Sequence, residues 1–368
     1  MLAFIAWTPL HVINILNTKF SYYPNESADL YIYNEFNNAN KIYENIKKEE
    51  IFNNVYLVEY TKMGNSIESK INILINKNIM IPEAEPFKYD IIFTQGGNYF
   101  LKILFGKAKK INPKLKLNYI EDGLATYSSF DFRNIAKHRE LVMNILNPYS
   151  IFKEDYSEYF VYKPEQVDLI EKNKIRKLPQ ISKEGNLILR LKNIFGLQKE
   201  KIEMKNTIIF FDQPHINKEL EKLEKLAFNQ IINHKNKFNV LVKLHPRSPK
   251  GKYADDIKIL DTKLPWELCC LIYNLNNLVT VSLYSTASVS SSLMFNVKTN
   301  NILLTKMLVD DPLYYDLISS DEETVKKLKD LYNIVSKFES LPNSNLVIPN
   351  SENELLDELK FINNNFIQ

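Results

Sequence analysis

At 368 residues, the chain is long enough for two ordinary domains, each with its own hydrophobic core. Its apolar fraction of 45% and aromatic fraction of 12% exclude an intrinsically disordered protein. The formal net charge of +3 is small for this length and gives no support for a nucleic-acid partner.

The two cysteines, Cys269 and Cys270, are adjacent in an apolar segment. Neighbouring cysteines rarely form a disulfide, and a zinc site needs more ligands. They are expected to be reduced core residues, which fits a cytoplasmic protein. Residues 1–16 are apolar but lack the basic start and cleavage site of a signal peptide, and Pro9 and His11 interrupt them. Since no run of about 20 apolar residues occurs, a soluble protein is expected, which could still lie on a membrane surface.

The first part of the chain alternates predicted strands with predicted helices. The strands cover residues 1–7, 28–35, 54–60, 89–97 and 115–123, and the helices cover residues 10–20, 41–52, 66–77 and 99–111. This alternation is typical of a doubly wound parallel sheet.

A second series follows an irregular, charged stretch between residues 131 and 206. Strands are predicted at residues 206–214, 238–246, 277–283 and 300–305, and helices at residues 218–234, 266–275, from 285, and 352–366. The predicted organisation is an N-terminal α/β domain (1–155), a connector (156–205), a C-terminal α/β domain (206–350) and a final helix (351–368). Two such domains suggest an enzyme with a cleft between its lobes.

Polar residues collect at the carboxyl ends of the predicted strands, where doubly wound folds bind ligands. These groups are Thr8-Pro9, Gln95-Gly96-Gly97, Glu121-Asp122-Gly123, Asp212-Gln213-Pro214, His245-Pro246-Arg247 and Ser285-Thr286. Loops are generally polar, so a position at a strand end is by itself weak evidence for a binding site. The kinds of residue carry more weight, because carboxylates occur in one half and His, Arg and hydroxyls in the other.

Three features of the second half have both a structural and a functional interpretation. His245 could be a surface-turn histidine, but Arg247 beside it suits a phosphate. The hydroxyls of Ser282, Ser285, Thr286 and Ser288 could cap a helix or bind an anion at its N-terminus, and their number favours the anion. Glu267 could complement a helix dipole or accept hydrogen bonds from ribose hydroxyls.

The order of these motifs resembles that of bacterial sialyltransferases, namely the lipooligosaccharide and capsule enzymes and the related polysialyltransferases. The matching motifs are "EDG" at Glu121–Gly123, "HP" at His245-Pro246, "PWE" ending at Glu267, and "ST" at Ser285-Thr286. The segment "WTPLHV" near the N-terminus also resembles a Thr-Pro-Leu segment of these enzymes. Thr286 stands where many relatives carry serine, but the hydroxyl is kept.

The resemblance implies two Rossmann-like domains of GT-B type and a metal-independent, inverting transfer of sialic acid from CMP-sialic acid. By position, the pair Glu121 and Asp122 would contain the general base, and His245 would protonate or hydrogen-bond the departing phosphate. Glu267 would bind the ribose. The other expected donor-binding residues are Pro246, Arg247, Ser282, Tyr284, Ser285 and Thr286. Thr8, Pro9, Gln95, Gly96, Gly123 and Gln213 are expected to line the donor and acceptor cleft.

The sequence does not decide between Glu121 and Asp122 as the base. Alternation along a strand sends neighbours to opposite sides, so only one should face the cleft, and we favour Glu121. His11 is expected to be structural, and His215 could reach the cleft. Asp310-Asp311 is interpreted as a loop.

The implied partners are a nucleotide-sugar donor and an oligosaccharide or glycolipid acceptor of the capsule or lipooligosaccharide; no further cofactor is expected. The lysine-rich residues 101–116 are interpreted as a solvated helix face in preference to a contact with the inner membrane. Two other functions stay open at this point: a GT-B transferase for another nucleotide sugar, and a non-catalytic nucleotide- or glycan-binding component of capsule assembly.

Overall fold

A computed structural model of the chain describes residues 1–59, 67–68, 81–84, 86–127, 155–167, 170–197, 203–214, 218–233, 237–245, 248–249, 251–260, 264–285, 287–341 and 344–366. The chain divides into two compact units. The first comprises Met1–Asp122 and Ser129–Leu197, and the second comprises Gly123–Ser128 and Gln198–Gln368.

The described part of the first unit contains a parallel seven-stranded sheet. Its strands are β1 (Leu2–Ala6), β2 (Ala28–Tyr33), β3 (Asn54–Val58), β4 (Ile91–Thr94), β5 (Lys116–Ile120), β6 (Glu158–Val161) and β7 (Ile175–Lys177), in the order β3-β2-β1-β4-β5-β6-β7. Its helices are α1 (Pro9–Tyr22), α2 (Ala39–Lys48), α3 (Tyr99–Ile111) and α4 (Asn186–Phe195). This is the strand order of a Rossmann fold.

Two inner strands, β1 and β2, explain why this sheet is parallel. Every residue of β1 and of β2 is buried. Continuous apolar strands are typical of parallel sheets with helices on both faces, because both faces must be shielded from water. The prediction of a doubly wound sheet is confirmed. The helix predicted at residues 66–77 lies almost entirely outside the described residues.

The predicted connector differs from the structure. Residues 156–205 contribute β6, β7 and α4 to the first unit, which extends to Leu197. β7 lies at the edge of the sheet, with Arg176 and Lys177 exposed. A short, charged edge strand has a linker-like composition, which is why the sequence pattern did not reveal it.

The second unit repeats the arrangement with a parallel six-stranded sheet among its described residues. Its strands are β8 (Thr207–Phe211), β9 (Asn239–Lys243), β10 (Lys258–Ile259), β11 (Leu278–Ser282), β12 (Thr299–Leu303) and β13 (Ser344–Val347), in the order β10-β9-β8-β11-β12-β13. Its helices are α5 (Lys218–Ile232), α6 (Trp266–Ile272), α7 (Ala287–Phe295), α8 (Met307–Asp310), α9 (Pro312–Ile318), α10 (Glu322–Val335) and α11 (Glu352–Phe366). The sequence patterns missed the two outermost strands, β10 and β13, which are short.

The last helix is part of this second unit. Leu355, Leu359 and Ile362 of α11 are buried in the hydrophobic core of the unit. Cys269 and Cys270 of α6 are buried and unbonded to each other, as expected of core residues, and burial raises the pKa of the Cys270 thiol.

Each sheet reverses its strand order at one place, and ligands bind outside the carboxyl ends of the strands there. In the first unit this place lies between β1 and β4, and in the second between β8 and β11. Trp7 and Gln95 follow the first pair of strands, whereas Asp212 and Leu283 follow the second.

Candidate functional site

The start of α1 is built by the Thr-Pro segment. The side chain of Thr8 is the N-cap and accepts a hydrogen bond from the backbone amide of His11 at 3.2 Å. Pro9 occupies the first helical turn, where a missing amide hydrogen has no cost. Both residues, expected to line a cleft, therefore set where the helix begins.

His11 connects this helix start to the acidic pair. Its side chain is fully buried. Nδ1 accepts a hydrogen bond from the backbone amide of Trp7 at 3.3 Å, and Nε2 lies 2.7 Å from Oδ1 of Asp122. Because Nδ1 is the acceptor, we assign the ring proton to Nε2, which donates it to the Asp122 carboxylate.

Glu121 points the other way. Its side chain is buried, and Oε2 accepts a hydrogen bond from the backbone amide of Tyr162 at 2.7 Å. Its carbonyl oxygen accepts a hydrogen bond from Nδ2 of Asn14 at 2.9 Å. The side chain of Asp122 is 37% exposed. Glu121 therefore braces the end of β6, and Asp122 is the more exposed carboxylate of the pair, whereas the preference drawn from the sequence was for Glu121.

Gly123 turns the chain directly after this pair. Its φ of 65° lies in the left-handed region that favours glycine. It begins the short 3₁₀ helix Gly123–Tyr127, in which the ring of Tyr127 packs against Phe338 at a centroid distance of 5.0 Å. The left-handed conformation of Gly123 therefore permits a tight turn directly after Asp122.

Gln95 and Gly96 follow β4, the strand between β1 and β5. Neither Nε2 nor Oε1 of the buried Gln95 amide has a hydrogen-bond partner. The carbonyl of Gly96 accepts a hydrogen bond from the hydroxyl of Thr94 at 2.7 Å. A side chain at position 96 would meet the ring of Trp7 at 3.9 Å. Buried polar groups are normally paired, so the Gln95 amide is an exception at this edge of the sheet.

A buried charged cluster follows β8 in the second unit. Asp212, Glu224 and Lys252 are almost completely shielded from solvent, and Lys252 Nζ forms ion pairs with both carboxylates. The hydroxyl of Tyr253 donates to Oδ1 of Asp212 at 3.1 Å or to Oε1 of Glu224 at 3.2 Å. We refer to these four residues as the Asp212 cluster.

The Asp212 cluster holds the backbone of His245. Oδ2 of Asp212 accepts a hydrogen bond from the amide of His245 at 3.0 Å, and the His245 carbonyl accepts one from the amide of Ser248 at 2.9 Å. Burial acts to raise the pKa of Asp212, but hydrogen bonds from Lys252 and His245 and the charge of Lys252 outweigh it and lower that pKa. The backbone of the half-buried His245 is therefore held by an ionised carboxylate.

The Asp212 cluster also forms hydrogen bonds with the backbone of Gln213. The amide of Gln213 donates to Oε1 of Glu224 at 3.1 Å, and its carbonyl accepts from Lys252 Nζ at 2.9 Å. Tyr284, after β11, is affected as well, because burial and the charge of Glu224 raise the pKa of Tyr284 to about 12.

The serines after β11 form local hydrogen bonds. Oγ of Ser282 accepts from the amide of Ser285 at 3.1 Å and lies 3.1 Å from Oγ of Ser288. Ser290 of α7 donates to Oε1 of the buried Glu267 at 2.5 Å. Ser282 thus organises the turn before α7, and one oxygen of Glu267 is already engaged.

Several predicted site residues lie outside the described residues: Pro246, Arg247, Thr286 and His215. Their assignments stay predictions. The described residues bring Thr8, His11 and Asp122 together in the first unit, and Asp212 and His245 in the second.

Sequence reasoning missed two features of the site. It did not predict the contact of His11 with Asp122, although the spacing of three residues between Thr8 and His11 was a signal that both lie at the same helix start. It also overlooked Glu224 and Lys252, which lie in charged stretches that resemble solvated faces. Only their burial distinguishes them.

Among the described residues, no group of three or more His, Cys, Asp or Glu side chains is arranged to hold a metal ion. Asp311 caps α9 by accepting from the amide of Leu313 at 3.0 Å. Within the same residues, no helix combines the length and apolar character needed to cross a membrane.

Comparisons with solved structures show the fold. A UDP-GlcNAc 2-epimerase from Methanocaldococcus jannaschii, in complex with UDP-GlcNAc and UDP, superposes with a TM-score of 0.53 at 15% identity, covering 99% of this chain and 92% of that one. A 2,6-sialyltransferase from Photobacterium sp. JT-ISH-224, crystallised with CMP and lactose, has a TM-score of 0.49 at 11% identity, covering 94% and 78%. No match was found among curated proteins.

Two parallel α/β units with Rossmann strand order, each with polar residues at the carboxyl ends of its strands, define the GT-B class of fold. The family is given by a family model that matches residues 4–303, described as alpha-2,8-polysialyltransferase. The chain belongs to the alpha-2,8-polysialyltransferase family. It is a glycosyltransferase that transfers sialic acid from CMP-sialic acid to a glycan.

Proposed function

We propose that this glycosyltransferase extends a surface glycan of the capsule or lipooligosaccharide type by inverting transfer of sialic acid, with Asp122 as the general base. The acceptor we propose is a glycan that ends in sialic acid, and the bond formed is an α-2,8 linkage; the family supports both. The observation that carries the assignment of the base is the half-exposed Asp122 carboxylate, bonded at 2.7 Å to a fully buried imidazole.

In the proposed reaction, the acceptor hydroxyl oxygen attacks the anomeric carbon of the donor on the face opposite CMP. Asp122 takes the hydroxyl proton as the new bond forms. The bond between the anomeric carbon and the phosphate oxygen breaks, and its electron pair leaves with CMP. Glu121 takes no part in proton transfer, because it accepts the Tyr162 amide hydrogen at 2.7 Å in a buried position.

His245 is proposed to stabilise the leaving phosphate. A protonated imidazole can donate a hydrogen bond or a proton to a phosphate oxygen as negative charge develops there. Support comes from the backbone of His245, which is held at 3.0 Å by the ionised carboxylate of Asp212. Because a departing nucleoside monophosphate carries less negative charge than a diphosphate, we propose that the reaction needs no metal ion or other cofactor.

The donor is proposed to bind at the carboxyl ends of β8, β9 and β11. The hydroxyl of Ser285, the N-terminus of α7 and the predicted contributions of Pro246, Arg247 and Thr286 would contact the phosphate. Glu267 would receive the ribose hydroxyls through the oxygen that Ser290 does not engage, and Tyr284 and Gln213 would line the same edge. Gln95, with its unpaired amide, is proposed to contact the sugars.

The proposal is tested by a nucleotide panel followed by a transfer assay. CMP and CMP-sialic acid should raise the melting temperature, whereas UDP and GDP should not. A sialic-acid-terminated oligosaccharide should then become longer, with release of CMP, in the presence of excess EDTA. Stabilisation by UDP or GDP but not CMP would contradict the donor, and stabilisation by CMP without any transfer would indicate a binding protein.

Peripheral association with the cytoplasmic face of the membrane completes the proposal. It is supported by the exposed lysines Lys110, Lys114 and Lys116 at the end of α3 and after it. Such a cluster attracts anionic lipid, and the attraction weakens with salt. Sedimentation with phosphatidylserine vesicles at low and high salt tests it; equal recovery with neutral vesicles would mean that these lysines are simply a solvated face.

A further inference from the structure

The proposed function assigns a role to Asp122 but none to its partner, the fully buried His11. Its ring lies between two partners, the backbone amide of Trp7 at 3.3 Å and the Asp122 carboxylate at 2.7 Å. The indole of Trp7 stands perpendicular to the imidazole at a centroid distance of 4.6 Å. The ring is therefore fixed in the plane that points Nε2 at Oδ1 of Asp122.

We infer that His11 is a positioning residue for the base: its Nε2 hydrogen bond orients the Asp122 carboxylate towards the acceptor hydroxyl. The inference rests on the proposed function of Asp122. A carboxylate on a loop has several accessible rotamers, and moving the base by about 1 Å can slow catalysis about 100-fold. A hydrogen bond from a buried, immobile ring selects one rotamer of Asp122. Residues that hydrogen-bond to metal-binding side chains orient those side chains in the same way.

A purely structural role accounts less well for this contact. α1 is already attached to the end of β5 by the hydrogen bond from Asn14 to the Glu121 carbonyl at 2.9 Å. It is attached further along by Asn17, which donates to the Tyr162 hydroxyl at 3.1 Å and to the Pro179 carbonyl at 2.8 Å. α1 is therefore anchored without the hydrogen bond of His11. What this hydrogen bond adds is the orientation of the Asp122 side chain.

The two ring nitrogens can be tested separately with amide side chains. In His11→Gln, the amide nitrogen can replace Nε2 and still donate to Asp122, but the acceptor for Trp7 is lost. In His11→Asn, the amide oxygen can replace Nδ1 and accept from Trp7, but the side chain is too short to reach Asp122. We expect kcat to fall about 10- to 100-fold in His11→Asn and less than about 5-fold in His11→Gln, with KM for CMP-sialic acid unchanged in both.

Asn17→Ala is the matched control on the same helix. It removes a buried anchor of α1 and should lower the melting temperature without lowering kcat at a temperature where the variant is folded. If His11→Asn and His11→Gln lose equal activity, or if the loss of kcat in the three variants follows their melting temperatures, His11 is structural and the inference is overturned.

A double variant separates this inference from the proposed function. If His11 acts through Asp122, His11→Asn should cause no further loss in an Asp122→Asn background, because the two changes remove one interacting unit. Multiplicative losses would overturn the inference while leaving Asp122 as the base. Full activity of Asp122→Asn alone, or no transfer by the unaltered protein, would overturn both.

Discussion

At the scale of single residues, the adjacent carboxylates Glu121 and Asp122 have different environments despite their similar chemistry. The buried Glu121 accepts a backbone hydrogen bond, whereas Asp122 keeps 37% of its side chain exposed. Both carboxylates accept a hydrogen bond of 2.7 Å, but a substrate hydroxyl can reach only a carboxylate that is exposed. The residue that contacts the acceptor is therefore Asp122 in our proposal.

Asp122→Asn and Glu121→Gln should consequently fail in different ways. Asp122→Asn should lower kcat at least about 100-fold, as expected for loss of a general base, with little change in melting temperature. Glu121→Gln can still accept from Tyr162 through its amide oxygen, and should retain substantial activity but melt earlier. Steady-state kinetics with thermal melts of both variants measure this; a larger kcat loss in Glu121→Gln would return the role of base to Glu121.

Gly123→Ala tests the turn after the carboxylates. A methyl group at φ 65° costs about 1 kcal/mol of stability. Gly196→Ala is the control, since Gly196 has φ 66° at the end of α4, where a methyl group would meet nothing within 4 Å. Both variants should lose similar stability in urea unfolding, but only Gly123→Ala should lower kcat. Equal activity in the two variants would show that the position of Asp122 does not depend on this turn.

At the scale of elements, the segments after β8 and β9 are joined through the Asp212 cluster. The backbone of His245 after β9 is bonded to Asp212 after β8, and Glu224 of α5 and Lys252 complete the support. Removing one member of a buried ion pair leaves its partner charge poorly compensated and is costly. The position of His245 and the stability of the second unit are therefore linked.

Asp212→Asn should destabilise the protein by about 3 kcal/mol near neutral pH, as for other broken buried pairs. Because the pKa of Asp212 is lowered on folding, its ionisation stabilises the protein fully above the unfolded value of about 3.9. This contribution is lost as the pH falls through the lower pKa that Asp212 has in the folded protein. The difference between Asp212→Asn and the unaltered protein should thus be constant from pH 7 to 5 and shrink below about pH 4.

Urea unfolding as a function of pH measures this difference. Asp357→Asn is a suitable control, because Asp357 pairs with Lys360 on the exposed surface of α11, where ion pairs contribute little. A difference for Asp212→Asn that grows at acidic pH would contradict the assigned direction of the pKa shift.

At the scale of the whole molecule, the two units share one strand order but carry different chemistry. The carboxyl edge of the first sheet has a carboxylate held by an imidazole, whereas that of the second has a histidine, serines and a buried charged cluster. This difference favours a proton acceptor in the first unit and an anion-binding donor site in the second.

Binding of CMP should accordingly be independent of Asp122. At 100 times its dissociation constant, CMP should stabilise the protein by about 2.7 kcal/mol, to the same extent in Asp122→Asn. Hydrogen exchange should show protection of residues 212–214, 244–245 and 283–285, and not of the segment around Asp122. Loss of the CMP effect in Asp122→Asn would place the donor on the first unit.

Much of the fold was predictable because its determinants are local. β1 is a run of apolar residues, β2 is apolar except for Asp29, and α1 begins at a Thr-Pro cap, so element type and parallel class follow from neighbouring residues. The edge strand β7 was missed because half-exposed, charged strands carry no apolar signal. The motif residues could also be placed at strand ends from the sequence, because they directly follow the apolar runs that form the strands.

By itself, the sequence determined the α/β class, the strand ends at which polar residues collect, and a set of motifs that resembles sialyltransferases. Only the tertiary structure decided that Glu121 is buried and Asp122 partly exposed, that His11 contacts Asp122 across 111 positions of the chain, and that Asp212 supports His245. The physical reason is that burial and hydrogen-bond partners depend on segments distant in sequence, and these, more than residue type, determine which of two neighbouring carboxylates can accept a proton.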